Sequence, residues 1–284
     1  MEIRSIMGET FADVNGIKIC YEILGKGEPV ILVHGFGSNK EGWIAQFYPL
    51  SKHFKVIRFD NRNGGKSYRP HIPNTAEMLA DDVRGLMDYL QLETSHIIGW
   101  SLGGIIVQNF AIKYPNRIKK LILINTVMGA PYNQGVEMLK NNHIKTLEAR
   151  KKDPVQAFWD GARLGFSHGF RKKMKANPKK KFHGSWSVED LIKFENLNPP
   201  TPQDIIHQSS ALLQRITKDD LKKITTPTLL IASSHDKLTS SNSMIEMHDV
   251  IPNSKLTVID KAGHSSPLSK APEINKLIME FLKT

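Results

Sequence analysis

The chain has 284 residues, 40% of them hydrophobic and 24% charged, which suits a folded domain with a sizeable core and excludes a disordered or fibrous protein. Its net charge of +11 admits an acidic partner, but eight of the basic residues fall between positions 161 and 188 with no Asp or Glu among them, so much of the excess is local. No apolar run approaches the roughly 18 residues of a membrane span, the opening MEIRSIMGETF lacks the basic-then-apolar layout of a secretion signal, and the single cysteine, Cys20, has no disulfide partner; a cytoplasmic protein is expected.

In chain order, TFADV and IKICYEIL flank Asn15-Gly16, a dipeptide suited to the positive φ values of a tight hairpin, so an antiparallel pair opens the fold. Three apolar runs follow at 30–34 (VILVH), 54–59 (FKVIRF) and 96–100 (HIIGW), each continuous enough for a strand buried on both faces. Between the last two, residues 75–90 repeat Met78, Leu79, Val83, Leu86, Met87 and Leu90 at helical spacing. Further strands are expected at 119–125, 228–233 and 255–259, and a closing helix at 271–282. This alternation predicts an α/β fold with a mostly parallel eight-stranded sheet covered by helices on both faces. From 127 to 217 the rhythm stops and helical pieces are broken by Asn-Pro, Pro-Pro and lysine-rich loops. Residues 1–126 and 218–284 are therefore expected to form the core, and 127–217 an inserted helical cap.

Gly99-Trp100-Ser101-Leu102-Gly103 is a G-x-S-x-G motif between the apolar run SHIIGW and the helix-like LGGIIVQNFAIKY. That context gives the motif its meaning: a sharp strand-to-helix turn that exposes a serine hydroxyl beside a helix N-terminus, where small neighbours are needed for close packing. His34-Gly35-Phe36-Gly37 follows a strand that should lie beside it. Its glycine-rich turn can leave the Phe36 N–H free to form, with the N–H of Leu102, a two-donor oxyanion hole, each donor worth about 3 kcal/mol of barrier. His34 itself reads as a hydrogen-bonded structural histidine.

Among eleven histidines, His264 stands in a loop after the run KLTVID, at the carboxyl edge where α/β sheets place their sites. Asp236 ends the run PTLLIASSHD and is the candidate acid, with Asp260 as the alternative; Asn125, at the end of LILIN, is no carboxylate. The order serine, acid, histidine fits a nucleophile elbow. His235 reads as structural.

HGFG, FDNRNGGKS, GWSLGG, SSHD and AGHSSP stand in the order of the α/β-hydrolase fold family, which the chain resembles over nearly its whole length. The elbow is similar to that of pimeloyl-acyl-carrier-protein methyl ester esterases, and the DNR stretch is closer to enol-lactonases and general esterases. Asn63 departs from the glycine usual in D-x-R-G-x-G-x-S, although Asn tolerates the left-handed conformation. Asp60 and Arg62 then read as turn residues. A serine nucleophile argues against the dehalogenases and epoxide hydrolases that the family builds around aspartate.

The expected activity is hydrolysis of a carboxylic ester, or a related lactone or thioester, by Ser101, Asp236 and His264. Carbon–carbon bond hydrolysis and a non-catalytic ligand receptor are the alternatives. There is no H-E-x-x-H set and no G-x-G-x-x-G after a strand, so no metal or organic cofactor is expected. The partner is a small molecule. The basic stretch at 161–188 is read as a solvated face in preference to a dock for an acidic carrier protein, and Phe182 is the only aromatic in RKKMKANPKKKFH, which fits no nucleic-acid module.

Overall fold

The computed structural model describes residues 10–129 and 133–284, so the N-terminal stretch read above for a secretion signal lies largely outside it, as do residues 130–132 of the proposed insertion. The elements run β1 (Thr10–Val14), β2 (Ile17–Leu24), β3 (Pro29–Val33), α1 (Ile44–Ser51), β4 (Lys55–Phe59), α2 (Ala76–Tyr89), β5 (Ser95–Trp100), α3 (Leu102–Lys113) and β6 (Ile118–Ile124). Five helices follow: α4 (Asn133–Lys152), α5 (Pro154–Gly165), α6 (His168–Ala176), α7 (Val188–Asn196) and α8 (Pro202–Leu212). The chain then returns through α9 (Lys218–Leu221), β7 (Thr228–Ser233), α10 (Ser241–Val250), β8 (Ser254–Ile259), α11 (Ser266–Ser269) and α12 (Ala271–Lys283).

The eight strands form one sheet in the order β1-β2-β4-β3-β5-β6-β7-β8. β1 and β2 pair antiparallel through Asn15 and Gly16, whose φ values of 50° and 78° suit a tight hairpin; β2 also meets β4 antiparallel, and the remaining pairs are parallel. The strands match the apolar runs to within one residue at either end. All six positions of β5 are buried, as expected of a central strand with helices on both sides. One face packs Ile31, Val33 and Ile97 against α2 and α3, and the other packs Leu32, Ile98 and Ile122 against α1 and α12. Thr75 caps α2 by accepting the Met78 N–H at 3.0 Å, which explains why the helix starts one residue after the periodic stretch begins.

The segment from α4 to α8 carries an aromatic core of its own, with Phe158, Phe166, Phe182 and Trp186 buried. It reaches Ile44 and Ala45 of α1 and Leu268 of α11, which fastens the insertion to the sheet-covering helices. The lysine-rich stretch therefore overlies an aromatic core, and Phe182 is turned inward against Trp186, with ring centroids 5.0 Å apart. Among the described residues no helix is long and apolar enough to cross a membrane.

Beneath the loop that follows β3 lies an ionic cluster that sequence patterning does not suggest. The side chain of Lys40 is 1% exposed, and its Nζ lies 2.9 Å from Glu41, 3.5 Å from Asp60 and 3.9 Å from Glu22. Burial pushes the Lys40 pKa down, but the Asp60 and Glu41 carboxylates outweigh it and hold the ammonium charged. Asp60 also accepts the backbone N–H groups of Lys40 at 2.8 Å and Lys66 at 2.9 Å, so it ties the end of β4 to the loop after β3. Asp60 and Arg62 are structural, the latter bridging to Asp82 through two contacts of 2.6 Å. Asn63 takes φ +60°, the left-handed conformation anticipated for it. Replacing Lys40 by methionine strands buried carboxylates without their cation, and the variant should lose about 3 kcal/mol of unfolding free energy in a denaturant titration.

Candidate active site

β5 ends at Trp100 and α3 begins at Leu102, so Ser101 makes the whole turn. Its φ of +58° and ψ of −122° are a strained conformation for a residue with a side chain, held by its N–H donating to the Ile124 carbonyl at 3.0 Å and its own carbonyl accepting from Thr126 Oγ1 at 2.7 Å. The flanking glycines are required by contact. A Cβ at Gly99 would stand 2.4 Å from the Gly103 carbonyl oxygen, and one at Gly103 would stand 2.1 Å from that of Val33. The loop after β3 packs directly on the serine, since a Cβ at Gly35 would lie 3.0 Å from Ser101 Cβ and 3.5 Å from its Oγ. Neither the Phe36 N–H nor the Leu102 N–H has an acceptor among the described residues.

His264 and Asp236 meet at the same edge of the sheet. Nδ1 of His264 is 2.8 Å from Oδ2 of Asp236, whose side chain is fully buried. Asp236 Oδ1 accepts the N–H groups of Leu238 at 2.8 Å and Thr239 at 3.0 Å, and Oδ2 accepts the Thr239 hydroxyl at 2.7 Å. Burial pushes the Asp236 carboxyl up, but the charge and hydrogen bond of His264, with those from Thr239, bring it below the ordinary carboxylate value. The carboxylate is thus ionised at neutral pH, and because it can only accept, Nδ1 of His264 donates to it and Nε2 is the nitrogen left for other partners. Asp260 stands apart: its side chain is 75% exposed beside Lys261. Of the two carboxylates the sequence offered, the structure joins Asp236 to His264. His235, read as structural, has an exposed side chain, and its N–H donates to the Ala262 carbonyl at 2.9 Å. His34 is buried, its Nδ1 2.9 Å from the Gly35 carbonyl and its Nε2 accepting the Asn61 N–H at 3.0 Å.

Ser101, Phe36 and His264 line one cavity of about 280 Å³, together with His143, Phe158 and Leu191 from the helices between β6 and β7. Arg150 and Glu195 pair at 2.8 Å in the same wall. A strained serine, a histidine backed by an ionised carboxylate, and N–H groups without an acceptor are the components of nucleophilic acyl transfer.

A sequence model described as alpha/beta hydrolase fold matches residues 28–271. The chain belongs to the α/β-hydrolase family. Among curated relatives of this α/β-hydrolase, "Putative carbamate hydrolase RutD" of a Caulobacter species is 26% identical over 262 residues, covering 90% of either chain. The AB hydrolase superfamily protein YisY of Bacillus subtilis is 26% identical over 284 residues, covering 97% of this chain and 99% of its own. Among solved structures, the enol-lactonase from Burkholderia xenovorans superposes with a TM-score of 0.81 at 25% identity, covering 97% of this chain and all of the other.

Sequence reading missed the residues that hold the α/β-hydrolase site together from behind. Trp100 Nε1 donates to the His264 carbonyl at 3.1 Å, and Asn125 Nδ2 donates to the same carbonyl at 2.9 Å and to Ser266 Oγ at 2.9 Å. In sequence, Asn125 shows only that no carboxylate ends β6. Its place at the end of β6, next to the elbow, was the available signal.

Proposed function

We propose that this chain is a serine hydrolase that cleaves a carboxylic ester, or a closely related lactone or thioester, through an acyl-enzyme. The observation that carries the reading is the 2.8 Å contact between His264 Nδ1 and the buried Asp236 carboxylate, in the cavity that also contains Ser101 at its elbow. His264 Nε2 takes the hydroxyl proton as Ser101 Oγ attacks the carbonyl carbon, and Asp236 offsets the charge that the imidazole gains. The carbonyl oxygen becomes an anion facing the free N–H groups of Phe36 and Leu102. Collapse of that intermediate breaks the bond to the leaving group, which departs with the proton from His264. Water, deprotonated by the same histidine, then releases the acid and restores the serine.

In this reading residues 127–217 form a cap whose inner wall selects the substrate, which is supported by the presence of His143, Phe158 and Leu191 in the cavity. The likeness to an enol-lactonase favours a cyclic or open ester over other acyl compounds. Turnover of p-nitrophenyl acetate and butyrate by the wild type, compared with a Ser101→Ala variant, tests the proposal. A protein that binds such esters but turns them over equally slowly with or without Ser101 would be a receptor instead.

The basic stretch has no part in this chemistry. Lys179, Lys180 and Lys181 are exposed, Lys181 pairs with Asp190, Lys179 lies 3.9 Å from Glu189, and Lys175 stands 5.2 Å over the Trp159 ring. Part of the charge is thus answered locally, which supports a solvated face. Changing Lys179, Lys180 and Lys181 together to glutamate should leave hydrolysis of small neutral esters within about twofold of wild type, because screening at an exposed face is strong over such distances. A loss confined to acyl groups presented on an acidic carrier protein would assign that face to docking.

A further inference from the structure

One imidazole in the cavity takes no part in the mechanism above. His143 lies on α4, and its ring meets the Phe36 ring edge-on with centroids 4.6 Å apart. Its Nδ1 is 3.0 Å from the Leu139 carbonyl, which can only accept, so the proton is on Nδ1 and Nε2 carries the lone pair. Nε2 has no hydrogen-bond partner among the described residues. Burial, Arg150 and His264 all push the His143 pKa down, so the ring stays a neutral acceptor.

The loop that carries Phe36 is shaped around this ring. A Cβ at Gly37 would lie 2.6 Å from His143 Cδ2 and 3.0 Å from Nε2, and Gly37 has φ +64°, so both space and backbone call for glycine. The Gly37 N–H is engaged elsewhere, donating to Gln208 Oε1 of α8 at 2.9 Å, while Gln208 Nε2 donates to the Asn63 carbonyl at 2.6 Å. Two helices from between β6 and β7 thereby fix the loop, and His143 Nε2 is left against Gly37, next in sequence to Phe36, in the cavity that Ser101 also lines.

We propose that His143 is a specificity-determining residue: its Nε2 accepts a hydrogen bond from an O–H or N–H group of the acyl compound bound in the cavity that it shares with Ser101. Resting on the serine-hydrolase reading, this narrows the substrate class to acyl compounds with such a donor, as in hydroxy esters or N–H carbamates, over plain alkyl esters. The preference has a physical cause. A substrate lacking the donor removes water from Nε2 and gives nothing back, and sites built around such a bond reject the analogue that lacks it far more strongly than apolar pockets reject a missing methylene.

The test reads binding, not turnover, on the intact Ser101→Ala protein, using calorimetry with two matched pairs: benzyl lactate against benzyl propionate, and benzyl N-methylcarbamate against benzyl N,N-dimethylcarbamate. At least one donor-bearing ligand should bind about tenfold more tightly than its partner, and the pair that shows it distinguishes an O–H from an N–H substrate. In the Ser101→Ala, His143→Phe protein that ratio should fall to about one, and His143→Gln, which retains an acceptor, should restore part of it. Equal affinities within both pairs, or a ratio that survives His143→Phe or is lost equally in His143→Gln, would overturn the assignment. Failure of the serine-hydrolase reading would show separately, as wild-type ester turnover that does not depend on Ser101, and would leave these ratios readable.

Discussion

Ser101→Ala should lower turnover of a p-nitrophenyl ester by about 10⁵-fold, because the remaining cavity can bind and polarise the carbonyl but offers no group to form the acyl-enzyme. Stability should not fall with it. The strain at φ +58° is a property of the backbone at position 101, and an alanine there keeps the Cβ while losing only an oxygen. Rates would be followed by nitrophenolate release, and folding by circular dichroism and denaturant titration on the same samples. A serine-directed phosphonate gives an independent reading by mass spectrometry. It should add once, at Ser101, and fail to add to His264→Ala. A variant at position 101 that retained turnover within tenfold of wild type would remove the proposed nucleophile.

Asp236→Asn should cost about 10⁴-fold in turnover, since an amide at that position can present an N–H to His264 Nδ1, favouring the tautomer whose Nε2 carries the proton and cannot accept one from serine. Asp260→Asn should stay within about twofold, its carboxylate being exposed beside Lys261. The reverse ranking would move the acid to Asp260. A stability readout accompanies the kinetic one. The folded-state pKa of Asp236 is depressed, so its ionised form adds stability above the unfolded carboxylate pKa, and that contribution is lost as pH falls through the folded value. The gap in unfolding free energy between wild type and Asp236→Asn should therefore be widest near neutral pH and narrow on acidification.

The readable parts of the molecule were those written in local patterns. Continuous apolar runs gave β3 to β7 because strands inside the sheet bury both faces, while β8 lies at the edge and is half exposed; G-x-S-x-G gave the elbow because only small residues survive within 2.4 Å of neighbouring backbone. The choice of Asp236 over Asp260 turned on loop position, and the geometry joins it to His264. What escaped notice depends on distant contacts. Gln208 meets Gly37 across 171 positions, and nothing near either residue announces it. Lys40 resembles any surface lysine until β4 brings Asp60 beneath it. His143 lies on a helix with no strong apolar periodicity to orient it, so its entry into the cavity was decided by the packing of the insertion and not by its own neighbours in sequence.

The grip of Trp100 and Asn125 on the His264 carbonyl bears on how the protein comes into being. Ser101 is synthesised directly after β5, whereas Asp236 and His264 follow only with the loops after β7 and β8, much later in the chain. A nascent chain that has emerged only as far as β6 holds Ser101 without the Asp236–His264 pair. On the proposed mechanism such a chain would not turn over acyl compounds until β7 and β8 dock. Two donors at the ends of β5 and β6 then receive the incoming histidine loop, so recovery of activity after denaturation should lag behind recovery of helical signal and report the docking of β7 and β8.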